Sequence, residues 1–346
     1  MKKKILALIL ACAMILALAA CSGSANTEQP AAENTASDAA EAPAASEETA
    51  ASAEGKTYTV GVCQLVQHEA LDAATQGFCD ALTEALGDAV TIDVQNASGD
   101  SVNCGTIVNG FVSKNVDLIM ANATPALTAA ASATADIPIL GTSITAYGVA
   151  LDIADFSGTV GGNISGTSDL ADLSAQAQMI LDWFPETQKV GLLFCSAEPN
   201  SRYQIEEVAK YLADKGVETE EFAFTDTNDV ASVTQSAADY SDVVYIPTDN
   251  TAAANTEAIG NVLIPAGVPA ICGEEGICRG CGVATLSISY YDLGVTTGKM
   301  AAKILTGEAN ISEMPVEFTD ATPKYSPSVC EQLGITPLEG YEAIEG

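Results

Sequence analysis

The sequence predicts an α/β protein of two lobes, each a parallel sheet flanked by helices, and three observations lead there. Two stretches read as copies of one unit. Asp117-Leu118-Ile119-Met120-Ala121-Asn122-Ala123-Thr124-Pro125 runs into the Ala-rich 126–133, and Asp242-Val243-Val244-Tyr245-Ile246-Pro247-Thr248-Asp249-Asn250-Thr251 runs into 252–258. Each is an apolar burst without alternation, the pattern of a parallel strand buried on both faces. Thr124 with Pro125, and Asp249, Asn250 or Thr251, supply helix N-cap chemistry, so each turn aims backbone N–H groups outward from a strand's carboxyl end. That is where open α/β sheets hold ligands. Third, strand and helix signals alternate from Lys56 onward, over about 290 residues, enough for two lobes of ordinary size.

The chain opens with Lys2, Lys3 and Lys4, an apolar run from Ile5 to Ala17, and Leu18-Ala19-Ala20-Cys21. This is the order of an export signal (1–20) with a lipoprotein cleavage site, and the run is too short to favour a spanning role. Cleavage before Cys21 would leave a thiol and an amino group to carry acyl chains, and stable anchoring needs more than one chain. An uncleaved membrane anchor is the alternative; either way the bulk of the protein works outside the cytoplasm. Residues 21–55 then read as lipid anchor and acidic tether, since 22–55 contain no basic, large apolar or aromatic residue that could offset the entropy of ordering.

The elements follow in order. Thr57–Leu65 is a strand, and Leu71–Leu86 a helix whose apolar positions fall at Leu71, Ala74, Phe78, Ala81, Leu82 and Ala85. A strand Val90–Gln95, a helix Ser101–Lys114, the first repeated unit and a strand Ile137–Gly141 come next. The Gly-rich section Ile144–Gly166 suits a crossing between lobes. Beyond it the helix Asp172–Phe184 leads into a second cycle: strands Lys189–Phe194, Glu218–Phe224, 242–247 and Pro269–Cys272, with helices Ile205–Asp214, Val230–Ala238 and 252–264. Val283–Ile288 is a further strand. The helix Tyr290–Leu305 is expected to return to lobe 1, and the tail Pro315–Gly334 to cross back. Lobe 1 is therefore assigned 56–165 and 289–316, and lobe 2 166–288 and 317–346.

Charge and composition narrow the function. The formal charge is −33, and loss of the three amino-terminal lysines carries it to −36. A phosphate-binding surface needs clustered Lys and Arg, so nucleic acid is a poor partner. His68 is the single histidine, no G-x-S-x-G elbow precedes a helix, and no phosphate-loop lysine motif occurs. The chain therefore reads as a binding protein and not an enzyme, with no cofactor and no metal.

A series of motifs makes the assignment more specific. Gln64-Leu65-Val66-Gln67-His68-Glu69-Ala70-Leu71-Asp72-Ala73, Asn122-Ala123-Thr124-Pro125-Ala126, Ile164-Ser165-Gly166-Thr167-Ser168-Asp169, Ser196-Ala197-Glu198-Pro199-Asn200-Ser201, Ile246-Pro247-Thr248-Asp249-Asn250-Thr251 and Ser289-Tyr290-Tyr291-Asp292-Leu293-Gly294 resemble, in order and spacing, those of ABC-importer substrate-binding lipoproteins of the tryptophan/tyrosine-type branch. The resemblance covers Tyr58 to about Val316. It implies a type I periplasmic-binding-protein fold with several hinge crossovers, a monomer holding a small extracytoplasmic ligand, and partner permease subunits with a cytoplasmic ATPase. An aromatic amino acid is the implied ligand class; a nucleoside or sugar, or a sensing role without transport, are the alternatives. Where relatives often carry Asp-Pro after Val-Thr, this chain has Thr145-Ala146-Tyr147, which would reshape the cleft there.

A free amino acid could be held by these residues. Its carboxylate fits the N–H groups of a helix start, helped by hydroxyls such as Thr124 or Ser201. Its ammonium calls for a carboxylate, with Asp249 or Glu198 as candidates. Its ring calls for an aromatic wall, from Tyr147, Tyr290 or Tyr291. Gln64 and His68 flank the carboxyl end of the first strand, and Thr167, Ser168, Asn200, Asn250 and Thr251 complete the set through their motifs. Each has a plainer role as well: Asp249 and Asn250 as helix caps, Glu198 as a solvated first-turn acid, the tyrosines as packing. Among the cysteines, Cys278-Arg279-Gly280-Cys281 reads as a Gly-rich loop between strands, with a disulfide inside the trio Cys272, Cys278 and Cys281 as the leading expectation and free thiols next. Cys63, Cys79, Cys104 and Cys195 read as small buried apolar residues.

Overall fold

The computed structural model describes residues 55–345. The export signal, Cys21 and all of the tether but Gly55 lie outside the described residues. No helix among the described residues is long and apolar enough to cross a membrane.

The first lobe is laid down as β1 (Tyr58–Gln64), α1 (Glu69–Leu86), β2 (Val90–Asn96), α2 (Ser101–Lys114), β3 (Leu118–Asn122), α3 (Thr124–Ala133), β4 (Ile139–Ile144), α4 (Tyr147–Ala150) and β5 (Ile164–Ser168). The second follows as α5 (Leu173–Trp183), β6 (Lys189–Cys195), α6 (Pro199–Asp214), β7 (Glu218–Phe224), α7 (Val230–Tyr240), β8 (Val243–Ile246), α8 (Asn250–Ala253), α9 (Thr256–Ala266), β9 (Ala270–Cys272), α10 (Glu275–Cys281) and β10 (Ala284–Ser287). The chain returns to lobe 1 for α11 (Tyr290–Thr306) and β11 (Glu317–Phe318). It ends in lobe 2 with β12 (Thr322–Tyr325), α12 (Pro327–Leu333) and β13 (Glu342–Ala343).

Both sheets are wound alike, with strand orders β11-β5-β4-β3-β1-β2 and β13-β12-β10-β9-β8-β6-β7. The first is parallel throughout; the second is parallel except where β12 runs against β10. The winding reverses between β1 and β3 in one lobe and between β6 and β8 in the other, which places the crevice of each lobe at those carboxyl ends. Every residue of β3 and of β8 is buried, because helices cover both faces. In lobe 1, Phe111, Ile119 and Leu127 pack on one face of the sheet, and Phe78, Leu118 and Met300 on the other. In lobe 2, Trp183, Phe194 and Ile205 oppose Leu193, Phe224 and Ile259.

Four expectations are corrected. The section 144–166 is no crossing: it carries α4, stacks Phe156 on Tyr147 and ends in β5, which pairs along β4 and β11 inside the first sheet. Its glycines serve a close approach instead. Gly141 and Gly166 lie opposite each other, and a Cβ on Gly166, whose φ is +142°, would collide with the Gly141 carbonyl and the Tyr147 hydroxyl. The lobes are therefore joined at 169–172, 288–290 and 319–321, so the boundaries after 165 and 316 move to about 168 and 318. The helix expected over 252–264 is broken at Asn255 into α8 and α9. The C-x-x-C segment is helical, as part of α10, and the eight described cysteines carry free thiols, seven of them buried. Gly280 gave this helix the look of a loop, yet glycine is needed because a Cβ there would stand 2.5 Å from the Thr256 side chain of α9.

Candidate ligand-binding site

The carboxyl ends of the two sheets face each other across a small, largely enclosed cavity. Lobe 1 contributes His68 and Leu71 from the start of α1, Ser143 and Thr145 from the end of β4, and Tyr290 from the start of α11. Asp169 comes from the first crossing. Lobe 2 contributes Asn200, the β8–α8 turn Thr248–Asn250, and Glu274 just before α10. Ser143 is turned inward by an irregularity in the β4–β5 pairing and holds φ +56°, and its buried hydroxyl has no partner.

The acids of this region differ in how fully they are engaged. Asp249 caps α8: its carboxylate accepts from Ala252 N at 2.8 Å and from Cys195 N at 2.7 Å, and the Ser201 hydroxyl also lies against it. Glu198 accepts from the backbone and side chain of Asn250 (3.0 and 2.7 Å) and of Thr251 (2.9 and 2.8 Å), and from Asn200 Nδ2 at 3.2 Å. Both acids thus hold a helix start in place and have little left for a ligand. Asp169 differs. Its Oδ2 accepts from the Tyr290 hydroxyl at 3.0 Å, while its buried Oδ1 has no partner. The Thr145 hydroxyl approaches that carboxylate without closing a bond of good geometry.

Burial sets the electrostatics. It pushes the Asp169 carboxyl up to about 6 and Glu274 up to about 7, and with the neighbouring Glu198 it raises Asp249 as well. His68 moves the other way, because burial disfavours its charged form more than Asn250 and nearby acids favour it. Asn250 fixes the tautomer: its Nδ2 donates to Glu198, so its Oδ1 faces His68 Nε2 at 3.3 Å and that nitrogen carries the hydrogen. The cavity lining therefore holds three carboxyls, a neutral imidazole and no cationic side chain, and its field favours the positive end of a ligand.

Of the residues singled out from sequence, His68, Asn200, Asp249, Asn250 and Tyr290 meet at this cavity. Thr124, Glu198 and Thr251 line outer grooves between the lobes. The others face elsewhere. Gln64 is spent inside lobe 1 on Val66 O, Asp72 and Thr75. Tyr147 is buried in the lobe 1 core, with its hydroxyl facing the Gly141 and Thr167 carbonyls at 3.1 and 3.2 Å, and borders a separate groove. Thr167 bonds to Thr142 and Thr297 within lobe 1, Ser168 donates to Thr145 O, and Ser201 is buried beside Asp249. Tyr291 is 43% exposed and donates to Asp80, so the aromatic wall falls to Tyr290 alone. Ser143, Asp169 and Glu274 were missed. Asp169 ends a motif noted in the sequence, but nothing there distinguishes an acid at a crossing from a solvated one.

The lobes also touch outside the cavity. Arg279 of α10 donates to Glu69 of α1 and, at 2.9 Å, to Glu275, which also accepts from Lys324 at 2.6 Å. The lobes are thus drawn together at the rim.

Comparison with known proteins matches residues 59–340 to the family model described as ABC transporter substrate binding protein. The chain belongs to this family. A substrate-binding protein of this kind is a binding protein and not an enzyme, and it works outside the cytoplasm. It is 33% identical over 270 residues to a tyrosine-binding protein of Clostridioides difficile, covering 77% of this chain and 78% of the relative. Among solved structures, a Streptococcus pneumoniae ABC domain in complex with L-Trp is 31% identical with a TM-score of 0.79, covering 83% of this chain and 100% of that one. A ligand-free, open substrate-binding protein with adhesive properties from Clostridium difficile is 32% identical, covers 84% and 99%, and gives a TM-score of 0.64. At nearly equal identity, the substrate-binding protein described here is thus more similar in shape to the tryptophan complex than to the open form.

Proposed function

We propose that this substrate-binding protein captures an aromatic amino acid, of the tryptophan or tyrosine type, between its lobes and delivers it to membrane permease subunits driven by a cytoplasmic ATPase. The observation that carries the reading is the unpartnered Asp169 oxygen inside a largely enclosed, cation-free cavity, beside the ring of Tyr290. A ligand ammonium completes that carboxylate, and the Tyr290 hydroxyl holds it in position. The ligand carboxylate takes the first turn of α1, whose N-cap residue His68 makes no side-chain cap, with the Ser143 hydroxyl nearby. The ring lies along Tyr290 and Leu71. The binding properties of the Clostridioides and Streptococcus relatives support this ligand class.

In this reading the protein is a monomer held at the membrane by acyl chains on Cys21, with the acidic tether carrying the lobes clear of the lipid. Ligand contacts made by both lobes favour the closed form, and closure creates the outer surface that the permease reads. A thermal-shift screen tests the ligand class, because a ligand at 100 times its Kd adds about 2.7 kcal/mol to stability. Tryptophan, tyrosine or phenylalanine should raise Tm by several degrees. A rise with nucleosides or sugars and none with aromatic amino acids would reject the proposal.

A further inference from the structure

Glu274 is a wholly buried acid on the cavity wall that the reading above leaves unused. It follows β9 after Gly273 and serves as N-cap of α10, accepting from Gly276 N at 2.8 Å and from Ile277 N. Those two bonds use one lone pair on each oxygen, and a carboxylate accepts about four. Its position is rigid. Gly273 lies against the Thr248 backbone too closely for any Cβ, and a Cβ on Gly276 would stand 3.2 Å from the Glu274 carboxylate, so bare backbone on both sides lets the acid fold over its own helix start. No Lys or Arg among the described residues pairs with it; Arg279, four residues beyond Glu275, turns to Glu275 and Glu69 instead.

The cavity thus offers two acids with capacity to spare, and they are not equivalent. Asp169 has an oxygen with no donor at all, which calls for a full ammonium. Glu274 already receives a backbone N–H on each oxygen, which leaves room for one more neutral donor. We propose that Glu274 selects ligands whose ring bears an N–H or O–H group, the indole of tryptophan or the phenol of tyrosine, over the plain phenyl ring of phenylalanine. This deepens the reading of the cavity as an aromatic amino-acid site and rests on it. A ring without a donor leaves the buried carboxylate's remaining lone pairs without a partner after water has been expelled, so selectivity comes from the mismatch as much as from the match.

The test is calorimetric titration of the protein and its E274D and E274Q variants with tyrosine, tryptophan and phenylalanine. E274D keeps an efficient N-cap for α10 while shortening the reach by one methylene, which guards against simple loss of the helix start. A hydrogen bond to a charged acceptor corresponds to roughly a ten- to hundredfold preference of the unaltered protein for tyrosine or tryptophan over phenylalanine. In both variants that ratio should collapse toward one. An unchanged ratio, or an equal fall for all three ligands, overturns the proposal, the latter because it would place Glu274 at the ammonium or in the scaffold. If the unaltered protein binds none of the three, the aromatic reading fails first and the selectivity proposal with it.

Discussion

Asp169 sits where two requirements conflict: burial opposes its charge, and a cationic ligand demands it. D169N removes the charge while keeping the shape, and affinity for tryptophan or tyrosine should fall on the order of ten- to a hundredfold in calorimetric titration. An unchanged affinity would move the ammonium elsewhere. The pH dependence has two opposite signs. Asp169 at about 6 and Glu274 at about 7 lie above their unfolded values, so the folded, ligand-free protein holds protons that the unfolded chain releases. Ligand-free Tm should therefore fall as pH rises from about 4.5 to 7, a trend that scanning calorimetry would check. Binding needs Asp169 ionised, so affinity should instead drop as pH falls through about 6. Little of this could be read from the sequence. Asp249 and Glu198 lie on turns at strand ends, where an acid is expected to meet a ligand, but backbone amides of α8 claim both. The acid with an oxygen that no donor reaches comes from a crossing whose burial depends on the second lobe folding over it.

The helices α1 and α11 position His68 and Tyr290, and they do so through glycines. A Cβ on Gly294 would overlap the Ala74 carbonyl, one on Gly77 the Tyr291 carbonyl, and one on Gly298 would stand 2.7 Å from the Phe78 carbonyl. The two backbones therefore meet almost directly, and both site residues sit at the helix starts of this joint. G294A should separate the pair, costing about 1–3 kcal/mol in denaturant unfolding, and should weaken ligand binding beyond what that loss explains. Normal affinity in a folded G294A protein would show that this spacing is not critical. The periodicity of α1, and the unbroken apolar runs of β3 and β8 ahead of N-cap residues, could be read in the sequence because burial on two faces leaves no alternation. The helix α10 could not be: its glycines imitate a loop, and the reason for them is the neighbouring helix α9, which no local pattern contains.

Closure is a property of the whole molecule, and the Arg279–Glu69 pair is the part of it most readily removed. Both side chains are partly exposed, so such a bridge contributes up to about 1 kcal/mol. R279Q and E69Q should each weaken every ligand by up to about fivefold, chiefly through faster dissociation in stopped-flow measurements, and without altering preference among ligands. An effect confined to one ligand would place the pair in the site itself. Two lobes with the same strand order follow from the repeated units in the chain, whereas the points of crossing do not, since β5 and β11 extend the first sheet through segments rich in glycine or too short to carry a pattern. The most direct measurement is a crystal structure of the protein with bound tyrosine or tryptophan. The ligand should lie between the lobes with its ammonium about 2.7–3.2 Å from Asp169 Oδ1. A ligand outside this cavity, or an ammonium paired with Asp249 or Glu198 while Asp169 stays unengaged, would contradict the account.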